Sequence, residues 1–151
     1  MSEPATRVRE LLERIASEAD VDADVQIRED EDGISGEFVG HDLGLLIGHH
    51  GQTIDAIQHL AYRIAFQGDQ HRKSVTVDAS GYRERRATAL RAAADQAAET
   101  AINDGRPVAF DAMSALERKV VHEHLKSRHD VETYSEGQEP DRRLVVAPVV
   151  S

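Results

Sequence analysis

Residues 41–51 read His-Asp-Leu-Gly-Leu-Leu-Ile-Gly-His-His-Gly and decide how the rest of the sequence is interpreted. Gly48 and Gly51 are three residues apart, which allows a tight turn without a Cβ clash and lets a polymer backbone lie on the main chain. Asp42 is placed to cap a short helix over 43–47, and a longer amphipathic helix follows the glycines. The N–H groups that begin that helix favour phosphate. The stretch therefore predicts a phosphate-binding loop between two helices.

The segments around this loop predict a small α+β unit. Apolar residues from Val8 to Ala19 follow the i, i+3, i+4 spacing of one helical face. Residues 24–29 and 34–39 alternate between apolar and polar side chains around an acidic turn that ends at Gly33, which predicts a β-hairpin. Two further elements complete the unit, a helix from about Gln52 to Phe66 and a strand around 75–77.

The second half of the chain predicts a long helix and another α+β unit. An Ala-rich helix is expected over about 82–102, and Ser114 and Glu117 have the capping-box spacing that begins a helix reaching about Arg128. Two strands are expected to follow, at 131–134 and 143–146. The predicted domain ranges are 1–80 for the first unit, 81–106 for the connecting helix and 107–151 for the second unit.

Composition excludes several classes of protein. The 151 residues contain no cysteine, which excludes disulfides, thiol catalysis and Cys-ligated metal sites. No apolar run approaches the roughly 20 residues that span a bilayer, and no signal pattern opens the chain, so we expect a cytoplasmic location without membrane insertion. The formal charge of −10 argues against a general nucleic-acid binder. Residues 1–32 hold 11 acidic and 4 basic residues, so the remainder can still present a basic face.

The helix that begins near Ser114 has a predicted basic stripe. At about 100° per residue, Leu116, Val120 and Val121 are expected on one side. The opposite arc holds five basic residues: Arg118, Lys119, His122, Lys126 and His129. Arg118 and His122 are one turn apart, so both can engage one phosphate-bearing ligand.

The order of elements around the Gly-x-x-Gly loop resembles a KH domain, and the leading helix resembles its type II arrangement. The resemblance implies a clamp for about four single-stranded nucleotides. The glycines would permit backbone approach, the histidines would donate to phosphate, and apolar side chains would line a groove for the bases. The implied RNA-binding residues are Ile47, Gly48, His49, His50, Gly51 and Ile54, with Leu46 and Phe38 beside them in the groove.

The C-terminal unit resembles the small domain named for its Arg-x-x-x-His signature, which is associated with single-stranded nucleic acid. The signature is Arg118 to His122, and its usual sequel is present as Gly137, Pro140 and an Arg before a Val-rich strand. The residues implied to hold a second stretch of strand are Arg118, Lys119, His122, Lys126 and Arg142.

The two domains in this order resemble the bacterial Jag family, also called KhpB, EloR or SpoIIIJ-associated, over roughly residues 20–149. The resemblance implies a non-catalytic cytoplasmic protein that binds single-stranded RNA or DNA and needs no cofactor. It also implies post-transcriptional regulation linked to the cell envelope, cell division or a YidC-type membrane insertase, with a small KH protein or a second copy as partner. Many relatives carry a further N-terminal domain, so we expect its roles to be absent here.

The loop interior departs from the family, because His49 and His50 stand where relatives usually carry Arg or Lys. A neutral imidazole offers at most one donor, whereas a protonated one offers two donors and a charge. We therefore expect weak RNA binding that is stronger at pH 6 than at pH 8.

Other functions are less well supported by the sequence. His122 and His124 are two residues apart, not the i, i+3 or i, i+4 that places two metal ligands on one helical face, so no metal is expected. Ser80 and Ser114 lie where helix caps belong, with no nucleophile elbow, which argues against a hydrolase. The main alternative is a protein-interaction or dimerisation module, in which the acidic first third docks a basic protein.

Overall fold

The chain forms two structural units, Met1–Arg83 and Glu84–Ser151, each with its own three-stranded sheet. The computed structural model describes residues 1–68 and 72–150. Each unit buries a separate apolar cluster. The mixture of helices and strands confirms the α+β class predicted from the sequence.

The first unit follows the order helix, two strands, two helices, strand. Its elements are α1 (Glu3–Glu18), β1 (Ala23–Glu29), β2 (Gly33–Gly40), α2 (Gly44–Ile47), α3 (Gln52–Ala65) and β3 (Ser74–Ala79), with a 3₁₀ turn at His49–Gly51. β2 is the central strand, antiparallel to β1 and parallel to β3. Asp30 closes the hairpin, since its carboxylate accepts hydrogen bonds from the N–H groups of Asp32 and Gly33.

The core of the first unit lies between the sheet and the two long helices. Ser2 caps the start of α1, because its hydroxyl accepts a hydrogen bond from the Ala5 N–H. Val8 and Leu12 of the helix's predicted apolar stripe are fully buried, and Leu11, Ile15 and Ala19 pack against the core partly buried. Phe38 from the central strand fills the same cluster. The apolar residues of the hairpin, α1, α2 and α3 therefore pack in one cluster, which fixes α2 and α3 on either side of the loop.

The short helix α2 begins differently from the prediction. Its first turn follows Leu43, whose carbonyl accepts hydrogen bonds from the N–H groups of Leu46 and Ile47, and no side chain caps it. Asp42 has φ 55° and lies one residue too early, so the predicted Asp42 cap is wrong. The backbone alone starts this helix.

The second unit packs two helices against a small antiparallel sheet. Its elements are α4 (Tyr82–Asp104), whose first two residues lie in the first unit, β4 (Val108–Ala109), α5 (Ala115–Leu125), β5 (Val131–Glu136) and β6 (Arg143–Pro148). β6 lies between β4 and β5. The Ser114 hydroxyl accepts from the Glu117 N–H, as the capping-box spacing predicted.

Most of α4 contributes to the second core. Leu90, Ala94 and Ala98 pack with residues of α5 and β6 in one buried cluster. The domain ranges 1–80, 81–106 and 107–151 stay predictions. Most buried apolar residues of the predicted connecting helix belong to the core of the second unit. No helix in the described part of the chain is both long and apolar enough to cross a bilayer.

Candidate nucleic-acid interface

The Gly48–Gly51 loop turns the chain between α2 and α3. Gly48 has φ 74° and ψ −176°, a conformation essentially restricted to glycine, and Gly51 has φ 81°. A Cβ atom at Gly48 would lie 2.1 Å from the Thr53 Oγ1, and one at Gly51 would lie 2.8 Å from the Tyr82 ring. The glycines thus bring the turn close to the start of α3, where the first N–H groups have no intrahelical acceptor.

The two histidines of the loop form a stacked pair. Their ring centroids are 3.8 Å apart with an interplanar angle of 24°. His49 is exposed, whereas His50 adopts φ 54° and ψ 26°, the left-handed region. The Nδ1 atom of His50 is buried and has no hydrogen-bond partner in the described residues. His50 can therefore meet a ligand only through Nε2, so the pair offers fewer donors than the sequence suggested.

The apolar residues predicted to line a base groove divide into supporting and surface residues. Ile54 and Phe38 are 0% exposed and Leu46 is 2% exposed, so they cannot contact a base directly. Ile54 lies on the face of α3 that packs into the core, which explains its burial. Ile47 is partly exposed, and its neighbour Leu45 is 65% exposed. Ile47 and Leu45 therefore offer exposed apolar surface on α2, directly before the loop, and the sequence-based prediction did not include Leu45.

The buried face of α5 differs from the predicted one. Val121 and Leu125 are buried, Arg118 is only 8% exposed, and Leu116 is 71% exposed. Arg118 lies about 20° around the helix from Leu125, because seven residues complete almost two turns. The prediction that Leu116 shares the apolar side with Val121, and that Arg118 lies in the solvent-facing arc, is therefore wrong.

Arg118 connects three segments of the second unit. Its Nη1 donates to the Met113 carbonyl at 2.5 Å and to the Arg142 carbonyl at 3.4 Å. Its Nη2 donates to the Glu139 carboxylate at 2.6 Å, and the two side chains form an ion pair. These contacts neutralise the guanidinium charge and fix the β5–β6 connection against the start of α5. Glu139 was not recognised from the sequence, since no local pattern links it to Arg118.

A shallow groove lies between α5 and β5. Its volume is about 470 Å³, and its polar lining includes Lys119, His122, Thr133, Ser135 and Arg142. Arg142 donates to the carbonyls of Gly137 and Ser135 rather than to a carboxylate. The lining also includes Arg118, so the structure brings together four of the five basic residues predicted for this unit. Lys126 lies at the end of α5, exposed and outside the groove lining.

His122 is held by a partner on the facing strand. Its Nδ1 atom lies 2.5 Å from the Thr133 Oγ1. Thr133 is in β5, eleven residues further along the chain, and is partly buried. A hydroxyl at this position could not be recognised from the helix pattern, because the contact forms only when α5 packs on the sheet.

Several arginines of this unit outside the groove are paired with carboxylates. Arg86 pairs with Glu117 at 2.5 Å, and Arg143 pairs with Glu136 at 2.7 Å. Hydrogen bonds from the Arg128 guanidinium hold the pKa of Asp130 below its ordinary value. Hydrogen bonding to Asp130, and then to a second carboxylate, raises the pKa of Arg128 above its ordinary value. Lys119 and Arg142 differ, since neither has a carboxylate partner within residues 1–68 and 72–150.

Comparison with known proteins agrees with this architecture. A family model described as the KhpA/KhpB KH domain matches residues 5–78, and one described as the R-3-H domain, named for the Arg-x-x-x-His signature, matches residues 88–148. The fold and the two matches define a protein with a KH domain followed by an R-3-H domain, which are binding rather than catalytic domains. The chain belongs to the bacterial KhpB family, also known as the Jag family.

Three relatives show how far the similarity extends, each named RNA-binding protein KhpB. The protein of Lactiplantibacillus plantarum is 43% identical over 69% of this chain and 32% of its own length. That of Clostridium symbiosum is 32% identical over 91% of this chain and 63% of its own length. That of Bacillus subtilis is 29% identical over 96% of this chain and 71% of its own length. The chain thus spans less than two thirds of the length of the first two relatives.

Proposed function

We propose that this chain binds single-stranded RNA, without catalysing a reaction, through two surfaces: the Gly48–Gly51 loop and the groove between α5 and β5. The proposal is supported by the KH and R-3-H matches and by relatives named RNA-binding proteins. KH loops contact the backbone of single-stranded nucleic acid. Two weak sites on one chain gain affinity when one strand occupies both, because the second contact becomes intramolecular.

The observation that carries the proposal is the groove. Lys119, His122 and Arg142 line one depression, and none of them has a carboxylate partner among the described residues. The wider charge distribution agrees. The first unit has 16 acidic and 8 basic residues, a net of −8, whereas the second has 12 and 10, a net of −2. A polyanion would therefore meet less repulsion at the second unit.

The residues of each surface receive distinct roles in this proposal. In the groove, Lys119, His122 and Arg142 contact phosphates, and Lys126 extends the basic surface along α5. Arg118 supports the groove from beneath, because its guanidinium is already occupied by Glu139 and two carbonyls. At the loop, the glycines permit backbone approach, His49 and His50 donate to phosphate, and Ile47 with Leu45 offers apolar contact. Ile54 packs beneath them.

The family also suggests a cellular role for this chain. We propose a cytoplasmic, post-transcriptional regulator linked to the cell envelope, cell division or membrane-protein insertion, supported by the resemblance to the Jag family. A small KH protein or a second copy of this chain would be the protein partner. Single-stranded DNA is the competing ligand, because phosphate contacts alone do not distinguish it from RNA.

Fluorescence anisotropy with labelled single-stranded RNA of mixed sequence tests the proposal. We expect binding that weakens with salt, with a slope near −0.7 for each phosphate contact. Lys119→Ala/His122→Ala should weaken binding, whereas Arg106→Ala removes an exposed positive charge of the same unit outside the groove and should not. The same sequence as DNA and as duplex RNA completes the comparison.

The RNA affinities of the two variants decide whether the groove is the binding site. Loss of affinity in Lys119→Ala/His122→Ala but not in Arg106→Ala supports the groove. Equal losses in both variants would indicate nonspecific attraction and would contradict it. No binding by the folded wild-type protein at low salt and pH 6 would overturn the proposal.

A protein-interaction module is the second candidate function. Leu45 is 65% exposed and Leu60 on α3 is 46% exposed, so the first unit presents two large apolar side chains to solvent. Association through such residues would change little with salt, unlike phosphate binding. Sedimentation of the chain alone at low and high salt distinguishes the two functions.

A further inference from the structure

We propose that Thr133 is a positioning residue that keeps the Nε2 atom of His122 protonated and directed at a phosphate in the groove. The inference rests on the proposed RNA-binding function and adds a residue outside the Arg-x-x-x-His signature. Its basis is the hydrogen bond between the Thr133 hydroxyl and the His122 Nδ1, at 2.5 Å. Nε2 makes no hydrogen bond within the described residues, so it remains available to a ligand.

The chemistry of a hydroxyl explains why threonine suits this position. A hydroxyl can both donate and accept a hydrogen bond. When the imidazole is neutral, the Thr133 hydroxyl can donate to Nδ1, and a phosphate oxygen beside Nε2 then selects the tautomer that carries the ring proton on Nε2. When the imidazole is protonated, Nδ1–H donates to the hydroxyl oxygen, and Nε2 still carries a proton. Nε2 is therefore a donor to an anionic oxygen in both states.

An acceptor-only partner would produce the opposite result. A carbonyl or carboxylate beside Nδ1 requires a proton there, which leaves Nε2 of the neutral ring as an acceptor. Such a nitrogen would repel a phosphate oxygen. The side chain at position 133 thus allows or opposes a proton on the Nε2 atom of His122.

The two residues are held by rigid elements. Val121, adjacent to His122, is fully buried and anchors α5 to the core. Thr133 is paired in register with Val146 of β6, which is also fully buried. Because a helix and a strand fix both backbones, the hydrogen bond needs little reordering when a ligand arrives. This arrangement favours a preorganised donor.

Substitutions at position 133 test the inference in the full chain. Thr133→Val keeps the shape and strand preference but removes the hydroxyl, and we expect RNA affinity to fall about 3- to 10-fold, the usual range for one hydrogen bond. Thr133→Ser should retain most of the affinity. In a His122→Ala background, Thr133→Val should cause no further loss, because the hydroxyl then has no imidazole to orient.

A second readout does not depend on RNA. Nitrogen-15 correlation spectra of the free protein should show neutral His122 as the Nε2–H tautomer in wild type and Thr133→Ser, with a smaller fraction of that tautomer in Thr133→Val. If Thr133→Val binds RNA as tightly as the wild-type protein does, the role of Thr133 is overturned, while the proposed RNA-binding function stands. An equal loss from Thr133→Val with and without His122 would also overturn it. A folded wild-type protein that binds no RNA would refute the proposed function itself.

Discussion

Arg118 donates to Glu139 at 2.6 Å across the second unit, and this ion pair is the principal departure from the sequence-based interpretation. The arginine of the Arg-x-x-x-His signature is 8% exposed and also bonds the carbonyls of Met113 and Arg142. It therefore organises the loop that carries Arg142, one of the groove cations. The signature joins one structural residue, Arg118, to one surface residue, His122.

Arg118→Ala should destabilise the second unit by about 1–3 kcal/mol, because it leaves two carbonyls and a carboxylate without their donor. Glu139→Gln should cost less, since the Glu139 side chain is 57% exposed and can be solvated. Thermal unfolding followed by circular dichroism measures both. An Arg118→Ala variant with wild-type stability but no RNA affinity would show instead that Arg118 contacts the ligand.

Gly48→Ala should destabilise the first unit by about 1–3 kcal/mol, because alanine at φ 74° and ψ −176° is strained and its Cβ would meet the Thr53 hydroxyl. Gly44→Ala is the matched control. No atom lies within 4 Å of a Cβ there and the residue begins α2, so alanine should be neutral or stabilising. Denaturant unfolding of both variants provides the comparison, and equal stabilities would contradict the strained-loop interpretation.

RNA binding by the first unit should be stronger at pH 6 than at pH 8. A protonated imidazole carries two donors and a positive charge, and His49 is exposed at the loop, where both would face a phosphate. Anisotropy titrations of wild type and His49→Arg/His50→Arg, both carrying Lys119→Ala/His122→Ala, isolate the loop. The arginine variant should bind more tightly and depend less on pH, and identical pH slopes would reject the prediction.

The pairing of Asp130 with Arg128 should make the free energy of unfolding depend on pH in the acidic range. The pKa of Asp130 is lowered in the folded chain, so its contribution is present above the unfolded pKa and is lost as the pH falls through the folded pKa. Asp130→Asn should therefore lower the thermal midpoint at pH 7 more than at pH 2. The exposure of Asp130 makes the effect small, and a difference that grows at low pH would have the wrong sign for this mechanism.

Local patterns were sufficient wherever the structure depends on neighbouring residues. The apolar spacing from Val8 to Ala19 predicted α1, and Ser114 with Glu117 predicted the start of α5. The Gly48–Gly51 spacing predicted the turn between α2 and α3, because both positions adopt positive φ angles that glycine accepts more readily than other residues. The predicted Asp42 cap was wrong because the helix begins one residue later than predicted, and local patterns do not fix a helix start to a single residue.

The sequence by itself determined the order of elements, the α+β class and the loop, because helical periodicity, strand alternation, caps and glycine conformations are local properties. Only the tertiary structure decided which face of α5 is buried, since that depends on how the helix meets the β5–β6 connection. Packing placed Glu139 beside Arg118 and Thr133 beside His122, and among the described residues it left Lys119 and Arg142 without carboxylate partners. Charge pairing and hydrogen-bond partners across distant segments form only on folding, so the composition of the groove follows from the fold.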